Sequence, residues 1–425
     1  MKQEKTKEKT DISNKPLEKV SKIKQDIKMK QDISGLPVLN IGMVGHIDHG
    51  KTTLLQALTG KFADMHSEEL KRGITIKLGY ADIVLKKKGS EFGVDSGEDY
   101  RYVTFIDVPG HEMLMATMLS GAAIIDAAIL VISASEGIKP QTKEHLTALQ
   151  AKGIKKIIIV QNKIDLVSKE TALKNYNDIK KFVKGTIAEN SVVIPVSAQQ
   201  KINIDKIYNE LGKTEIPQRD VKSKPLFVIA RSFDINRPGT SSAKLHGGVL
   251  GGALKQGILH VGDEIEIKPG LTKIEKNQKV YKTLATKIIS LFRGTYSIKE
   301  AGAGGNLAIE TELDMALAKG DSLSGCVVGL KNTVPEITHL IKIKAKHFKE
   351  VLGMEEKVSV DDFKIGEMLM LSINTSISVG KITSIKEGVL NLELNIPVVP
   401  FAGDNVGISR NVKGHWRLVG FGEVV

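Results

Sequence analysis

The run Gly45-His46-Ile47-Asp48-His49-Gly50-Lys51-Thr52, with Thr53 behind it, fits the phosphate loop G-x-x-x-x-G-K-[ST]. Backbone N–H groups of such a loop, with the N-terminus of the helix it opens, converge on phosphate oxygens. Lys51 can then reach the β- and γ-phosphates, and the Thr52 hydroxyl can ligate Mg²⁺. A glycine turn without function carries the same letters. The flanks argue against it: residues 38–44 form an apolar run that reads as a buried strand, and residues 54–58 have helix-forming composition.

Three further segments fit the same chemistry, in the order that a guanine-nucleotide switch requires. Asp107-Val108-Pro109-Gly110-His111 follows an apolar run at 102–106. An aspartate at a strand's end can hold the Mg²⁺ shell through water. Gly110 allows close backbone approach to a γ-phosphate and can change conformation when that phosphate leaves. His111 then stands where it can orient the attacking water. Asn162-Lys163-Ile164-Asp165 follows residues 156–161, which read as the fifth strand. The Asp165 carboxylate can accept from guanine N1–H and its exocyclic amine, a pattern that adenine lacks. Asn162 and the Lys163 stem support the loop and the base. Ser197-Ala198-Gln199, after 192–196, can present a backbone N–H to guanine O6.

Between the phosphate loop and Asp107 lies Arg72-Gly73-Ile74-Thr75-Ile76. Thr75 can bring its hydroxyl to Mg²⁺ in the triphosphate state and release it afterwards; the same residues also suit the start of an ordinary strand. Ile47 and Ile74 can flank His111 as an apolar gate or serve simply as packing. Catalysis by such a set is positioning and charge neutralisation. No arginine is assignable as a finger in cis, so intrinsic hydrolysis is expected to be slow and to depend on a partner.

The elements that must hold these groups follow from periodicity. From Pro37 to about Pro217, apolar runs alternate with helical segments beginning near Glu112, Pro140, Lys169 and Asn203. That alternation implies a mostly parallel sheet covered by helices, an α/β P-loop domain over 37–217. Beyond it the chain turns to short, glycine-punctuated strands such as 226–232, 248–254, 258–260 and 264–267, with no long helix before about 333. A second β stretch follows, with runs at 337–343, 368–373 and 389–394. Two β-barrel domains, 218–333 and 334–425, are expected to follow the GTPase domain. Residues 1–36, with ten Lys against six acids and no aromatic, read as a mobile basic tail.

Composition bounds the partners. The 425 residues carry 61 basic and 49 acidic side chains, a net charge of +12. That balance suits a polyanion such as RNA or the ribosome, but eight Arg among those 61 show a lysine preference that would give the same excess. Neither DNA nor a membrane is expected as a partner: no apolar stretch is long enough to span a bilayer. The N-terminus lacks the apolar core of a secretory signal, and the single Cys326 excludes an intrachain disulfide. A cytoplasmic location is expected.

The quoted motifs resemble those of translational GTPases related to elongation factor Tu. A longer likeness is to the gamma-subunit family of translation initiation factor 2. It runs through 66–80, 116–123 and 184–190, then through 231–240, 247–252, Trp416-Arg417 and Gly420-Phe421-Gly422. The resemblance implies a GTPase that carries methionylated initiator tRNA to the small ribosomal subunit within a heterotrimer. The alpha subunit would dock on the second domain and the beta subunit on the GTPase domain. It also implies Thr52 and Thr75 as principal Mg²⁺ ligands, Asp48 and the Gly73 carbonyl at a second metal, and His111 as the water-orienting histidine. Family members usually carry a four-cysteine zinc knuckle before Asp107. Residues 81–102 contain no cysteine, so 86–99 reads as a shortened or degenerate loop and no zinc is expected. A selenocysteine-specific elongation factor, or a ribosome-associated GTPase that binds no tRNA, would share much of this pattern. Arg231, Arg237 and the segment near Gly248 are tRNA-contact candidates by location alone.

Overall fold

The computed structural model describes residues 33, 35–60, 79–108, 124–236, 239–241, 244–276, 278–351 and 359–425. Gly73, Ile74, Thr75, Gly110, His111 and Arg237 lie outside the described residues, as do the helix expected near Glu112 and nearly all of the tail.

The first part of the chain alternates strand and helix. Its elements are β1 (Val38–Gly45), α1 (Lys51–Thr59), β2 (Gly79–Lys88), β3 (Glu91–Gly93), β4 (Glu98–Asp107), β5 (Ala127–Ser133), α2 (Pro140–Ala151), β6 (Lys156–Asn162), α3 (Lys169–Val183), β7 (Val193–Pro195) and α4 (Ile204–Lys213). They build a seven-stranded sheet in the order β3-β2-β4-β1-β5-β6-β7. β4, β1, β5, β6 and β7 run parallel, while β2 and β3 are antiparallel additions at one edge. β1 is buried along its whole length because neighbours flank it and layers cover both its faces. That burial explains its unbroken apolar run. Because β1, β4 and β6 run parallel, their C-terminal ends emerge at the same edge of the sheet, and all three end in a motif residue.

The segment expected as a shortened loop is mostly strand. Lys86–Lys88 close β2, β3 pairs back onto them, and β4 already begins at Glu98. Buried and half-buried residues alternate from Gly79 to Lys86, the period of a strand with one covered face. This hairpin also makes the strand before Asn162 the sixth described strand rather than the fifth.

Two barrels follow. The first contains β8 (Leu226–Phe233), β9 (Val249–Gln256), β10 (Ile258–His260), β11 (Glu264–Glu275), β12 (Gln278–Arg293), β13 (Tyr296–Ile298), β14 (Glu300–Gly302), β15 (Asn306–Thr311) and β16 (Val327–Leu330). The order β11-β16-β8-β9-β15-β12 closes through β11–β12 pairing, which removes the open edge. The second holds β17 (Thr338–His347), β18 (Met368–Ile373), β19 (Ser376–Lys386), β20 (Val389–Val398), β21 (Asn405–Val412) and β22 (His415–Val424), closed in the order β17-β20-β19-β18-β21-β22. Each barrel encloses its own apolar core.

The parts meet through apolar and charged contacts. One face of the α/β sheet, with α2 and α3, shares a hydrophobic cluster with Val228 and Ala253 of the first barrel and Leu418 of the second. Arg219 Nη2 reaches Asp126 Oδ2 at 2.6 Å at the exit from the α/β part. Lys152, at the end of α2, is buried and donates to the Ser372 carbonyl (3.0 Å) and hydroxyl (3.1 Å) in the second barrel. Lys255 of the first barrel reaches Asp404 of the second at 2.9 Å. No helix among the described residues is long and apolar enough to cross a membrane.

Candidate functional site

The phosphate loop leaves β1 at Gly45, whose φ of 138° suits glycine. A Cβ there would also lie 2.3 Å from the Val131 carbonyl oxygen. Gly50 ends the loop at φ 86°, and a Cβ on it would come 2.5 Å from Asn162 Nδ2. Both framing glycines are thus required by backbone conformation and by close neighbours. Asp48 sits exposed between them at φ 62°. Gly50 also stands at the N-cap position of α1 and supplies no side-chain cap, so α1's first N–H groups remain turned toward the loop. The helix dipole adds partial positive charge at the same place.

Lys51 folds back over the loop. Its Nζ donates to the Gly45 carbonyl (3.0 Å) and the His46 carbonyl (2.8 Å), and the residue is buried. Burial lowers its pKa to about 8, against the pull of Asp107 and Asp48. The ammonium is therefore charged at neutral pH and held where an anion would relieve its desolvation. Thr52 Oγ1 donates to Asp107 Oδ2 at 2.7 Å, and Asp107 is buried at the end of β4. A hydroxyl and a carboxylate brought together at a phosphate loop are the hard oxygen donors that Mg²⁺ takes. These two residues fit the ion.

The base end is tied to the phosphate end by one side chain. Asn162 Nδ2 donates to the His49 carbonyl at 3.0 Å, while its Oδ1 accepts from Ala198 N–H at 3.1 Å. A base carbonyl at Ala198 would compete for that N–H. Ser197 is buried and accepts from Gln200 N–H at 3.1 Å, which shapes the turn; Gln199 is exposed. Lys163 adopts φ 62° and pairs with Glu136 at 3.3 Å. Asp165 lies exposed in the short 3₁₀ turn Ile164–Leu166 directly after it. The structure thus gathers the residues expected at 45–53, 107, 162–165 and 197–199 around the ends of β1, β4, β6 and β7.

Two residues in this neighbourhood escaped the motif reading. His145 Nδ1 accepts from Gly45 N–H at 2.9 Å, and Gln141 Oε1 accepts from Ile47 N–H at 3.2 Å, both from α2. Their i, i+4 spacing in Pro140-Gln141-Thr142-Lys143-Glu144-His145 signals a shared helix face, though not what that face touches. Burial pushes His145 down to about 3, with Lys51 and His46 adding to the shift, so its ring is neutral. His49 is also buried and lowered to about 4 by desolvation; its Nδ1 lies 3.2 Å from the Val131 carbonyl, which fixes the Nδ1–H tautomer. The His46 and His49 rings meet edge to face at 5.0 Å. Away from this site, Arg231 is occupied with Asp321 at 3.4 Å.

Residues 36–217 match the family model described as elongation factor Tu GTP binding domain, and 339–424 match that described as initiation factor eIF2 gamma, C terminal. The translation initiation factor 2 subunit gamma of Methanocaldococcus jannaschii is 49% identical over 399 residues, covering 91% of this chain and 97% of its own. That of Archaeoglobus fulgidus is 49% identical over 403 residues, covering 91% and 94%. Among solved structures, a bacterial selenocysteine-specific elongation factor superposes with a TM-score of 0.72 at 26% identity, over 91% of this chain and 58% of that one. The elongation factor SelB of Methanococcus maripaludis, in complex with the GTP analogue GppNHp, gives 0.69 at 26% identity, over 92% and 79%.

Proposed function

The chain belongs to the gamma-subunit family of translation initiation factor 2, and we propose that in its GTP state it carries methionylated initiator tRNA to the small ribosomal subunit. It is a translation initiation GTPase. The observation that carries the finer reading is the nearly full-length match to gamma subunits, across the α/β part and both barrels together. The selenocysteine-specific factors share the architecture at lower identity and extend well beyond the region they share with this chain.

In this reading the chain works as three domains, 37–217, 218–333 and 334–425. Asp165 selects guanine, Asn162 fixes the base loop against the phosphate loop, and the 45–53 segment with Lys51 receives the phosphates. Thr52, Asp107 and Thr75 would hold Mg²⁺, which would supply charge neutralisation for the phosphates. The exposed, left-handed Asp48 and the Gly73 carbonyl would serve a second metal. His111 orients the attacking water, so His111→Ala should spare GTP binding and slow hydrolysis. Gly110 and Thr75 let go when the γ-phosphate leaves, and the tRNA is released. Alpha and beta subunits complete a cytoplasmic heterotrimer, with alpha on the first barrel and beta on the GTPase domain.

Protection of aminoacyl ester bonds from hydrolysis tests this reading. With GTP and the alpha subunit present, methionylated initiator tRNA should be protected, and protection should vanish with GDP. Protection of selenocysteyl-tRNA instead would reassign the chain to the elongation factors. Protection of no tRNA would favour a ribosome-associated switch.

A further inference from the structure

α2 holds the phosphate loop through two of the loop's backbone N–H groups. β1 delivers Gly45, and before the chain reaches Asp48 two of its N–H groups, those of Gly45 and Ile47, are already engaged by α2. Gln141 and His145 stand one helical turn apart, so their acceptors face the same way and meet alternate loop residues. The neutral His145 ring offers a lone pair at Nδ1, and its Nε2 carries the proton. α2 is a firm support for this. Its middle is tied to the second barrel by Glu144 and Arg417 at 3.0 Å, and the Lys152 ammonium just past its end is inserted into that barrel.

We propose that Gln141 and His145 are positioning residues for nucleotide retention: they fix the entry half of the phosphate loop to α2 so that its exit half and the start of α1 face the phosphates. Neither side chain touches nucleotide; they act through the backbone of Gly45 and Ile47. Removing an acceptor leaves a loop N–H without its partner, and the loop gains conformations that no longer cradle the phosphates. The proposal rests on the loop being the guanine-nucleotide site.

Dissociation of a fluorescent mant-GDP from the full chain, with the thermal stability of the nucleotide-free variants alongside, tests it. His145→Leu removes the acceptor, whereas His145→Asn keeps an acceptor near the Nδ1 position. His145→Leu and Gln141→Ala should each release mant-GDP about tenfold faster, with stability of the nucleotide-free protein little changed for Gln141→Ala. His145→Asn should return to within about threefold of the unaltered rate. Release from His145→Leu at the unaltered rate, or equal acceleration by Leu and Asn, would overturn the role of His145. Where His145→Leu does not fold, the half-buried Gln141 decides: an unchanged rate in Gln141→Ala overturns the proposal. If the unaltered chain retains no mant-GDP at all, it is the nucleotide site itself that falls.

Discussion

Thr52 Oγ1 and Asp107 Oδ2 share a 2.7 Å hydrogen bond that joins the first turn of α1 to the end of β4. Both groups are oxygen donors, and the carboxylate is buried. A cation at this place would take over the hydroxyl's lone pair and the carboxylate's charge, offsetting the desolvation of Asp107. Thr52→Val keeps the shape and removes the oxygen. GDP should dissociate from it about tenfold faster in Mg²⁺, at nearly the rate that chelation produces in the unaltered protein. If the variant still responds fully to chelation, Thr52 is not a metal ligand.

Much of this site is legible as strings because each string sits where a strand ends. The letters of 45–52 and 162–165 name their chemistry, and the flanking apolar runs place them at the edge of one sheet. The support behind the loop is not legible in that way. His145 is 100 positions from Gly45. The two meet because β1 and β5 pair in parallel and α2 crosses back over them. No local pattern encodes that crossing. The hairpin of β2 and β3 is a different case. Its sequence signal is the alternation of Ala81, Ile83 and Leu85 leading into it and the glycine at its turn, Gly89, where φ is 61°. The lack of cysteines in 81–102 says nothing about that period.

Asp165 should determine which base is held. In the proposed reading its carboxylate, exposed in the turn Ile164–Leu166, accepts two hydrogen bonds from guanine, and contacts to a charged acceptor are the stronger kind. Asp165→Asn reverses one of them into a donor facing a donor. GDP affinity should fall at least about a hundredfold. Xanthosine diphosphate carries a carbonyl where guanine has its amine, so the amide should bind it better than the carboxylate does. Equal GDP affinity in both proteins, measured by titration calorimetry, would place the base elsewhere.

Nucleotide affinity should also depend on pH through Lys51. Its pKa in the free protein is about 8, lowered first by burial. Phosphate oxygens beside the ammonium raise that value in the complex, so binding takes up a proton above the free-state pKa. GDP affinity should be flat below pH about 8 and weaken above it, by up to about tenfold per unit. The same shift gives the opposite trend in stability. The unfolded lysine has the higher pKa, so the nucleotide-free fold gains stability from this group as pH rises from about 8 toward 10.5. An affinity that is flat through this range would mean that Lys51 is not at the phosphates.

Glu144 and Arg417 should couple the second barrel to the α/β part. Their side chains are 3% and 13% exposed and meet at 3.0 Å across the junction. Removing one partner of such a pair leaves a charge in a poorly solvated place, which costs roughly 3 kcal/mol; removing both charges restores much of that. Arg417→Met should therefore lower the denaturation midpoint clearly, and adding Glu144→Gln should recover a large part of the loss. Because Glu144 precedes His145 on α2, Arg417→Met should also quicken GDP release although it lies far from the nucleotide loop in sequence. A variant that is destabilised yet releases GDP at the unaltered rate would separate the barrel contact from the loop and confine it to folding.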